Sequence, residues 1–350
     1  MNFKALVDWY LRCHRALPWR ETRDPYRIWL SEVILQQTRV AQGYDYYNRF
    51  VSRFPVVTDL AAASEDEVLK LWQGLGYYSR ARNLHAAAKQ VAAEHGGRFP
   101  TEYADVRALK GIGDYTAAAV VSFSVDAPYA VVDGNVYRVL GRLFDLNTPI
   151  DTTAGKKEFA LLAQRLLDEY LASPGHRGTG LYNQALMELG ALVCTPKSPK
   201  CGECPVAANC LALKDGTISE RPVKLGKTRQ TPRWFNYLHI TDKQGRTAIC
   251  RRKGKDIWRG LYEFPLLETP SETDFISLPL PDFLKGSLLI GSVRMPKHVL
   301  SHRIIHAVYH RIEVADLSAL PLPEEWQIIP SEKLGDYAVA RLTELYLTTR

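Results

Sequence analysis

The sequence predicts two domains, an all-α N-terminal domain followed by an α+β C-terminal domain. The chain has 350 residues, more than one ordinary core accommodates, and 46% of them are hydrophobic. Residues 1–213 repeat apolar side chains every three or four positions between Gly, Pro and Asp breaks, which is typical of helices. Residues 234–350 contain runs rich in Ile, Val and Tyr, which favour strands. Residues 214–233 have no such periodicity and carry six basic residues against two acidic ones, which indicates a basic interdomain linker.

The first informative element is "DPYRIWLSEVILQQT". Asp24 is a natural N-cap and is followed by a proline, so we expect a helix over about 25–37. This helix is apolar nearly all round and should be buried, yet it contains Glu32. A buried carboxylate either keeps its proton to a raised pKa or pairs with an arginine such as Arg20 or Arg39. The helix by itself leaves both alternatives open.

The second element is "LKGIGDYTAAAVVSF", residues 109–123. Gly111 and Gly113 allow a tight hairpin whose backbone amides point outward, and the helix that follows has a partly positive N-terminus. Such a surface suits one phosphate of a nucleic-acid backbone. A Gly-x-Gly pair between two helices can also be a simple turn. Its setting here is similar to a helix-hairpin-helix DNA-binding element.

The third element is "VVDGNVYRVLGRLF", in which an apolar helical stripe follows Asp133. Helix capping is the plain explanation for this aspartate. A carboxylate at a helix start is also held ionised by the helix dipole, so it could stabilise a developing cation.

The densest motif is the loop "CTPKSPKCGECPVAANC". It spaces four cysteines as C-x6-C-x2-C-x5-C, which suits either a tetrahedral zinc ion or an iron–sulfur cluster. The spacing alone does not choose between the two. The four cysteines are Cys194, Cys201, Cys204 and Cys210, whereas Cys13 and Cys250 are isolated and are interpreted as ordinary thiols.

The C-terminal domain begins with "WFNYLHITDKQGRTAICRR", which predicts two strands around a turn at Gly245. "HRIIHAVYHRIEVA" predicts another strand, and "YAVARLTELYLT" a closing helix. Histidines recur every four residues from His298 to His310, which would suit a metal only on a helix. In a strand, residues four apart are about 13 Å from each other, too far for one ion.

Charge and hydropathy limit the function classes. The formal net charge is +7 and the pI is near 9.0, which suits a partner that carries phosphates. The sequence contains no signal peptide pattern and no stretch long enough to span a membrane. We therefore expect a soluble cytoplasmic protein, associated with the nucleoid if the source is bacterial.

Together these motifs resemble one family. "LPWR", "SEVILQQTRV", "GLGYYSRARNL", "LKGIGDYTAAA", "VVDGNVYRVL" and "NQALMELGALVCTPKSPKC" are similar, in this order, to the helix-hairpin-helix glycosylases with a 4Fe-4S cluster, and among them to the MutY-type adenine DNA glycosylases. The resemblance covers nearly all of residues 1–213. It implies removal of adenine mispaired with 8-oxoguanine or guanine in double-stranded DNA, by a protein we expect to be a monomer. It also implies that the cysteine loop binds a 4Fe-4S cluster, and that Lys197 and Lys200 contact the DNA backbone.

The resemblance also assigns roles in the chemistry. Adenine leaves poorly as an anion, so N7 must be protonated while the bond from C1′ to N9 breaks. Glu32 would supply this proton, and Asp133 would stabilise the oxocarbenium charge or form a transient adduct. Tyr115 would hydrogen-bond beside Asp133 and help to place it, and Asn135 would fix the geometry of the site.

Two alternatives remain. Sister enzymes that resemble endonuclease III carry a nucleophilic lysine two residues after the second glycine of the hairpin and cleave the strand. The corresponding residue here is Tyr115, which cannot form an imine. The chain could also be a catalytically silent DNA scanner. That alternative predicts loss of Glu32 or Asp133, and both are present.

After base flipping, the resemblance implies that Gln37 enters the base stack together with Leu75 and Tyr77 and that they contact the orphan base. Core packing is the alternative for Leu75 and Tyr77. The resemblance implies DNA contacts for Arg20, Gln37, Thr38, Leu75, Tyr77, Gly111, Gly113, Ser301 and His302.

The resemblance further implies a Nudix-like C-terminal domain that recognises 8-oxoguanine. The R-E-x-x-E-E motif of true Nudix hydrolases is missing after "GLYEFPLLE", so we expect binding without hydrolysis. The family's recognition loop reads F-S-H. Here Ser301 and His302 match it, and Leu300 replaces the phenylalanine.

Overall fold

The structure is a computed structural model and describes residues 1–226 and 229–349. The chain forms two compact units. The helical unit comprises Met1–Ala62 and Ala86–Gly226. The sheet unit comprises Ala63–His85 and the chain after Gly226. The fold class is therefore as predicted, with helices in the N-terminal part and a strand-rich C-terminal part.

The helices are numbered in chain order. They are α1 Phe3–Cys13, α2 Pro25–Leu35, α3 Val40–Arg53, α4 Val57–Ala62, α5 Glu65–Trp72, α6 Ser79–Glu94, α7 Tyr103–Ala108, α8 Asp114–Val125, α9 Gly134–Leu143, α10 Thr153–Leu171, α11 Thr179–Leu192, α12 Leu211–Lys214 and α13 Arg341–Thr348.

Helix α2 begins as predicted and ends earlier. The Asp24 side chain accepts a hydrogen bond from the Tyr26 amide, and the proline at the first position needs no amide partner. The helix stops at Leu35 rather than near 37. Gln36 leaves the helix with ψ of 116°, and Gln37 has a left-handed φ of 55°. Gln37 and Thr38 therefore lie in the turn after the helix, and its last turn does not include them.

Helices α7 and α8 form the predicted hairpin. Gly111 has a φ of 78°, which only glycine adopts readily, and Gly113 is the N-cap of α8. Ile112 between them is buried and anchors the turn. Helix α8 packs against α2 and α11 with nearly every side chain buried from Thr116 onward, so its first turn is held firmly in the helical unit.

The main core of the helical unit lies between α1, α9, α10 and α11, where large apolar side chains are almost completely buried. The core side chains include Leu6, Tyr10, Val136, Leu140, Phe159, Leu167, Tyr182 and Leu189. This packing fixes the position of both the N-terminus of α9 and the inward face of α11.

The sheet unit is built on strands β1 Thr231–Asp242, β2 Arg246–Arg251, β3 Tyr262–Glu263, β4 Leu266–Thr269, β5 Leu288–Arg294, β6 His298–Val299, β7 Arg303–Val314 and β8 Trp326–Pro330. The main path is β3-β2-β1-β7-β5, with β4, β6 and β8 paired to β1, β7 and β2. The predicted hairpin around Gly245, the strand that contains His306 and the closing helix α13 are all present.

The predicted linker makes several contacts with the helical unit. Leu225 and Gly226 donate backbone hydrogen bonds to the Asp151 carboxylate, and Arg221 pairs with Asp145 at 3.0 Å. Strand β1 begins at Thr231, three residues before the expected start of the second domain. The domain boundaries at 213 and 233 stay predictions.

Among the described residues, no helix combines the length and the apolar character needed to cross a membrane.

Candidate active site

The four residues predicted to be catalytic meet at one cavity in the helical unit. Glu32 on α2, Tyr115 on α8, and Asp133 and Asn135 at the start of α9 line a cavity of about 530 Å3. A space of this size is typical of small-ligand sites. Arg20 and Thr38, two of the predicted DNA-contacting residues, line it as well.

Glu32 is 7% exposed, as the apolar character of its helix predicts. Burial raises the pKa of its carboxyl group to about 7, and the charge of nearby Asp133 acts in the same direction. A hydrogen bond from the Tyr115 hydroxyl to Oε2 of Glu32 and the charge of Arg20 oppose the rise. Glu32 is thus poised to hold or release a proton near neutral pH.

Tyr115 makes a different contact from the one that the resemblance implies. Its hydroxyl donates to Glu32, whereas its bond was expected beside Asp133. The reason is that α8 packs against α2, while the oxygens of Asp133 are already occupied at the start of α9. Burial and the nearby carboxylates Glu32 and Asp133 raise the pKa of Tyr115 well above its usual range, so its hydroxyl keeps its proton.

Asp133 is the N-cap of α9, as predicted. Oδ1 accepts from the amides of Asn135 at 2.9 Å and Val136 at 2.8 Å, and Oδ2 accepts from the Asn135 side chain at 2.7 Å. The sequence predicts a carboxylate held ionised by the helix dipole. Burial instead raises the pKa of Asp133, and these hydrogen bonds only partly offset the rise.

A chain of hydrogen bonds extends from Asp133 to the cysteine loop. Asn135 Oδ1 accepts from Nη2 of Arg138 at 2.8 Å, and Nε of Arg138 donates to the carbonyl of Cys194 at 2.6 Å. A Cβ atom at Gly190 would lie 2.6 Å from Cβ of Asn135, so this close approach of α11 to α9 requires glycine. Asp133, Arg138 and the close approach of Gly190 therefore fix the position of Asn135.

Sequence reasoning missed Glu188. This residue of α11 is completely buried, and each of its oxygens accepts from both Arg15 and Arg20. Burial alone would raise the pKa of Glu188, but the hydrogen bonds from these arginines lower it to about 2. A signal was available, because "LMELGAL" sets one carboxylate in an apolar helix, as "SEVIL" does for Glu32.

The other predicted DNA-contacting residues of the helical unit lie outside the cavity lining. Gln37 is exposed in the turn after α2, and Gly111 and Gly113 are exposed in the hairpin. In the sheet unit, Leu75 is 7% exposed and packs as a core residue, whereas Tyr77 is 49% exposed.

Tyr77 lines a second cavity, which lies within the sheet unit. Its hydroxyl is 2.8 Å from Oγ of Ser301, although 224 residues separate them in the chain. Ser301, His302, Leu300 and Trp258 line this cavity of about 330 Å3 with Tyr77. The structure therefore brings three predicted DNA-contacting residues, Tyr77, Ser301 and His302, to one place.

The four cysteines of the loop line one small cavity. Burial raises the pKa of Cys204 to about 11, and the other three thiols lie close enough to raise it further. Four mutually repelling thiolates therefore need a strong cationic centre. Nη1 of the buried Arg142 lies 3.4 Å from Sγ of Cys194 and adds positive charge beside the site.

Four cysteine side chains around one small cavity are the donor set that an iron–sulfur cluster requires. One tetrahedral zinc draws four sulfurs to about 2.3 Å from a common point. A four-iron cluster binds each cysteine at a separate iron and needs a wider frame. The residues present therefore fit an iron–sulfur cluster.

Family models match three segments of the chain. Residues 30–165 match the HhH-GPD superfamily of base excision DNA repair proteins, and residues 236–349 match the NUDIX domain. Residues 194–210 match the iron-sulfur binding domain of endonuclease III, which agrees with the four cysteines of this segment. The loop is an iron–sulfur-binding loop.

Similar proteins agree with these matches. The adenine DNA glycosylase of Buchnera aphidicola subsp. Schizaphis graminum is 32% identical over 322 residues, which cover 91% of this chain and 86% of that protein. The human adenine DNA glycosylase is 43% identical over 236 residues, 62% of this chain and 42% of that protein. A solved thermostable thymine-DNA glycosylase is 28% identical, with a TM-score of 0.54, over 61% of this chain and 95% of that one.

A buried carboxylate beside a helix-capping aspartate, a hairpin typical of DNA binding and four clustered cysteines thus occur in a chain that is similar to bacterial and human adenine DNA glycosylases. The chain belongs to the MutY-type adenine DNA glycosylases, base excision repair enzymes with a helix-hairpin-helix domain, an iron–sulfur loop and a Nudix-like domain.

Proposed function

We propose that this glycosylase excises adenine mispaired with 8-oxoguanine or guanine, by acid-assisted hydrolysis and without cutting the strand. The observation that carries the proposal is the buried Glu32, with a pKa near 7, on the wall of a cavity that also presents Asp133. A duplex base reaches such a cavity only after it leaves the stack, so the enzyme flips the adenine out.

Glu32 is the general acid in this proposal. A carboxyl group with a pKa of about 7 is protonated in a large fraction of molecules at neutral pH and can still release its proton. Protonation of adenine at N7 turns a poor anionic leaving group into a neutral one. The Tyr115 hydroxyl orients Oε2 of Glu32 and stabilises the carboxylate that remains after proton transfer.

Asp133 is the proposed electrostatic partner of the sugar. The oxocarbenium ion that develops at C1′ carries positive charge, and an ionised carboxylate beside it lowers the barrier. Three N–H groups donate to Asp133 and favour its ionised form against the effect of burial. A water molecule then attacks C1′, its proton passes to the Glu32 carboxylate, and an abasic site remains.

Strand cleavage through a Schiff base requires an amine at this site. The hairpin position that a lysine would occupy carries Tyr115, whose hydroxyl is engaged with Glu32. The product is therefore an abasic site that is cut only after alkali.

Recognition of 8-oxoguanine is assigned to the cavity of the sheet unit. Ser301 and His302 keep the hydrogen-bonding part of the expected recognition loop, and the exposed Tyr77 ring beside them offers a stacking surface. A DNA contact by Leu75 would require this side chain to leave its buried position. In the iron–sulfur loop, Lys197 and Lys200 are exposed and would bind phosphates. The four cysteines of this loop would hold the cluster, whose iron would offset the negative charge of the thiolates.

The test is single-turnover adenine release from duplexes that contain A opposite 8-oxoguanine. Glu32→Gln is expected to abolish release while duplex binding is kept, and Glu158→Gln, an exposed carboxylate on α10, is the matched control with unchanged rates. Strand nicking by the wild-type enzyme without alkali, or normal release by Glu32→Gln, would contradict the proposal.

A further inference from the structure

The cluster of Arg15, Arg20 and Glu188 has no role in the chemistry described so far. Arg20 lines the same cavity as Glu32 and is the cation whose charge acts on it. An arginine close to a carboxylate would normally pair with it and hold it ionised. In the structure the guanidinium of Arg20 instead binds the carboxylate of Glu188.

Glu188 occupies both terminal nitrogens of Arg20. Nη1 of Arg20 donates to Oε1 at 3.0 Å and Nη2 donates to Oε2 at 2.7 Å, which is the two-pronged geometry that arginine prefers. Glu188 is completely buried on the rigid helix α11, and Arg15 closes the cluster from the other side at 2.5 Å. The Arg20 side chain is only 13% exposed, so water offers it little alternative.

We infer that Glu188 is a positioning residue that withholds Arg20 from Glu32, so that the general acid keeps its proton until adenine arrives. The inference rests on the proposed role of Glu32 as the acid. Glu188 acts through Arg20 and needs no contact with the substrate.

Three titratable or charged groups act on Glu32 from the elements packed around it. Tyr115 comes from α8, Asp133 from the N-cap of α9, and Arg20 from the segment before α2. The cavity is also lined by Arg15, Arg39 and Glu188. Of the three groups, Arg20 is the cation, so its pairing with Glu188 affects how strongly Glu32 is driven to the ionised form.

Loss of Glu188 is expected to change the pH dependence of adenine release. Glu32 must be protonated to act, so activity falls as the pH rises through its pKa, which is about 7. When Glu188→Gln removes the counter-ion, Arg20 is released toward Glu32 and lowers the pKa of that carboxyl. An opposite charge at short range lowers a carboxyl pKa by roughly one unit or more. The pH at which the rate falls on the alkaline side, the alkaline limb of the rate profile, should therefore decrease by about the same amount.

The experiment measures single-turnover adenine release from pH 5 to 10 in wild type, Glu188→Gln, Arg20→Gln and the double variant. In Glu188→Gln the rate should fall at a lower pH than in wild type. In the double variant this shift should be absent, because Arg20 is no longer there to act on Glu32. A limb that stays in place in folded Glu188→Gln overturns the proposal. A limb that falls equally in the double variant also overturns it, since the effect then does not pass through Arg20.

A second readout does not depend on activity. The carboxyl stretch of Glu32 in infrared titrations, assigned from its loss in Glu32→Gln, should titrate at lower pH in Glu188→Gln. If Glu32→Gln keeps activity, the proposed function fails, whereas an inactive Glu32→Gln with an unmoved limb in Glu188→Gln refutes this inference alone. If Glu188→Gln does not fold, Glu188→Asp is used to test the inference. Its shorter reach loosens Arg20, and a lowered limb supports the inference while an unchanged one refutes it.

Discussion

The hydroxyl of Tyr115 donates a hydrogen bond to Oε2 of Glu32 across 83 positions of the chain. This contact joins α8 of the hairpin motif to the buried helix α2, so the element proposed to bind phosphate and the proposed acid belong to one rigid assembly. It also places a hydroxyl at Glu32, where Schiff-base strand cleavage would require an amine.

Tyr115→Phe should move the alkaline limb of adenine release to higher pH. The hydrogen bond from Tyr115 stabilises the ionised form of Glu32, so its loss raises the pKa of Glu32 above about 7 and keeps the acid protonated further into the alkaline range. The expected displacement is roughly one pH unit. Rates from pH 5 to 10 measure it, with Tyr137→Phe on α9 as the control. A limb that moves down would contradict the role of this bond.

Asp133→Asn should separate the capping role of Asp133 from its charge. Asparagine caps helices as well as aspartate does, so α9 and the thermal midpoint should change little. The loss of negative charge beside the sugar should lower the rate of adenine release at least about 100-fold. Asp24→Asn, the same change at the N-cap of α2, is the matched control and should leave the rate near wild type. Equal losses of rate in both variants would show that Asp133 acts only as a helix cap.

Gly190→Ala should impair catalysis although residue 190 carries no functional side chain. The added Cβ would lie 2.6 Å from Cβ and 3.0 Å from the carbonyl oxygen of Asn135, so the start of α9 must shift. We expect a loss of about 1–3 kcal/mol in the free energy of unfolding and a slower single-turnover rate. Gly335→Ala, where a Cβ meets nothing within 4 Å, is the control. Urea unfolding and rate measurements would show both effects, and a wild-type rate would argue against tight placement of Asn135.

Ser301→Ala should reduce discrimination between 8-oxoguanine and guanine. Oγ of Ser301 lies 2.8 Å from the Tyr77 hydroxyl on the wall of the cavity in the sheet unit. The loss of one hydrogen bond of about 1 kcal/mol would reduce the preference for A:8-oxoguanine over A:G duplexes roughly fivefold. Binding titrations at fixed salt with both duplexes, with the exposed Ser277→Ala as control, measure the ratio. An equal loss on both duplexes would show a general DNA contact instead.

Much of the fold could be predicted along the chain because the rules involved are local. The cap at Asp24, the cap at Asp133 and the left-handed Gly111 each depend on a few neighbouring residues. Burial of Glu32 was also predictable, since a helix that is apolar all round has no face for solvent. The spacing of the cysteines limited their ligand to zinc or iron–sulfur, and the match of residues 194–210 to the iron-sulfur binding domain of endonuclease III then favoured the cluster.

The partners of these groups came from the packing of distant elements. Nothing near Tyr115 in the sequence indicates that it meets Glu32 rather than Asp133, and Arg20 reaches Glu188 across 168 positions. The sequence left open an ion pair between Arg20 and Glu32, and the packing of α11 gave Arg20 to Glu188. Whether a buried carboxylate keeps its proton depends on which charges surround it in space, and only the assembled helices place those charges.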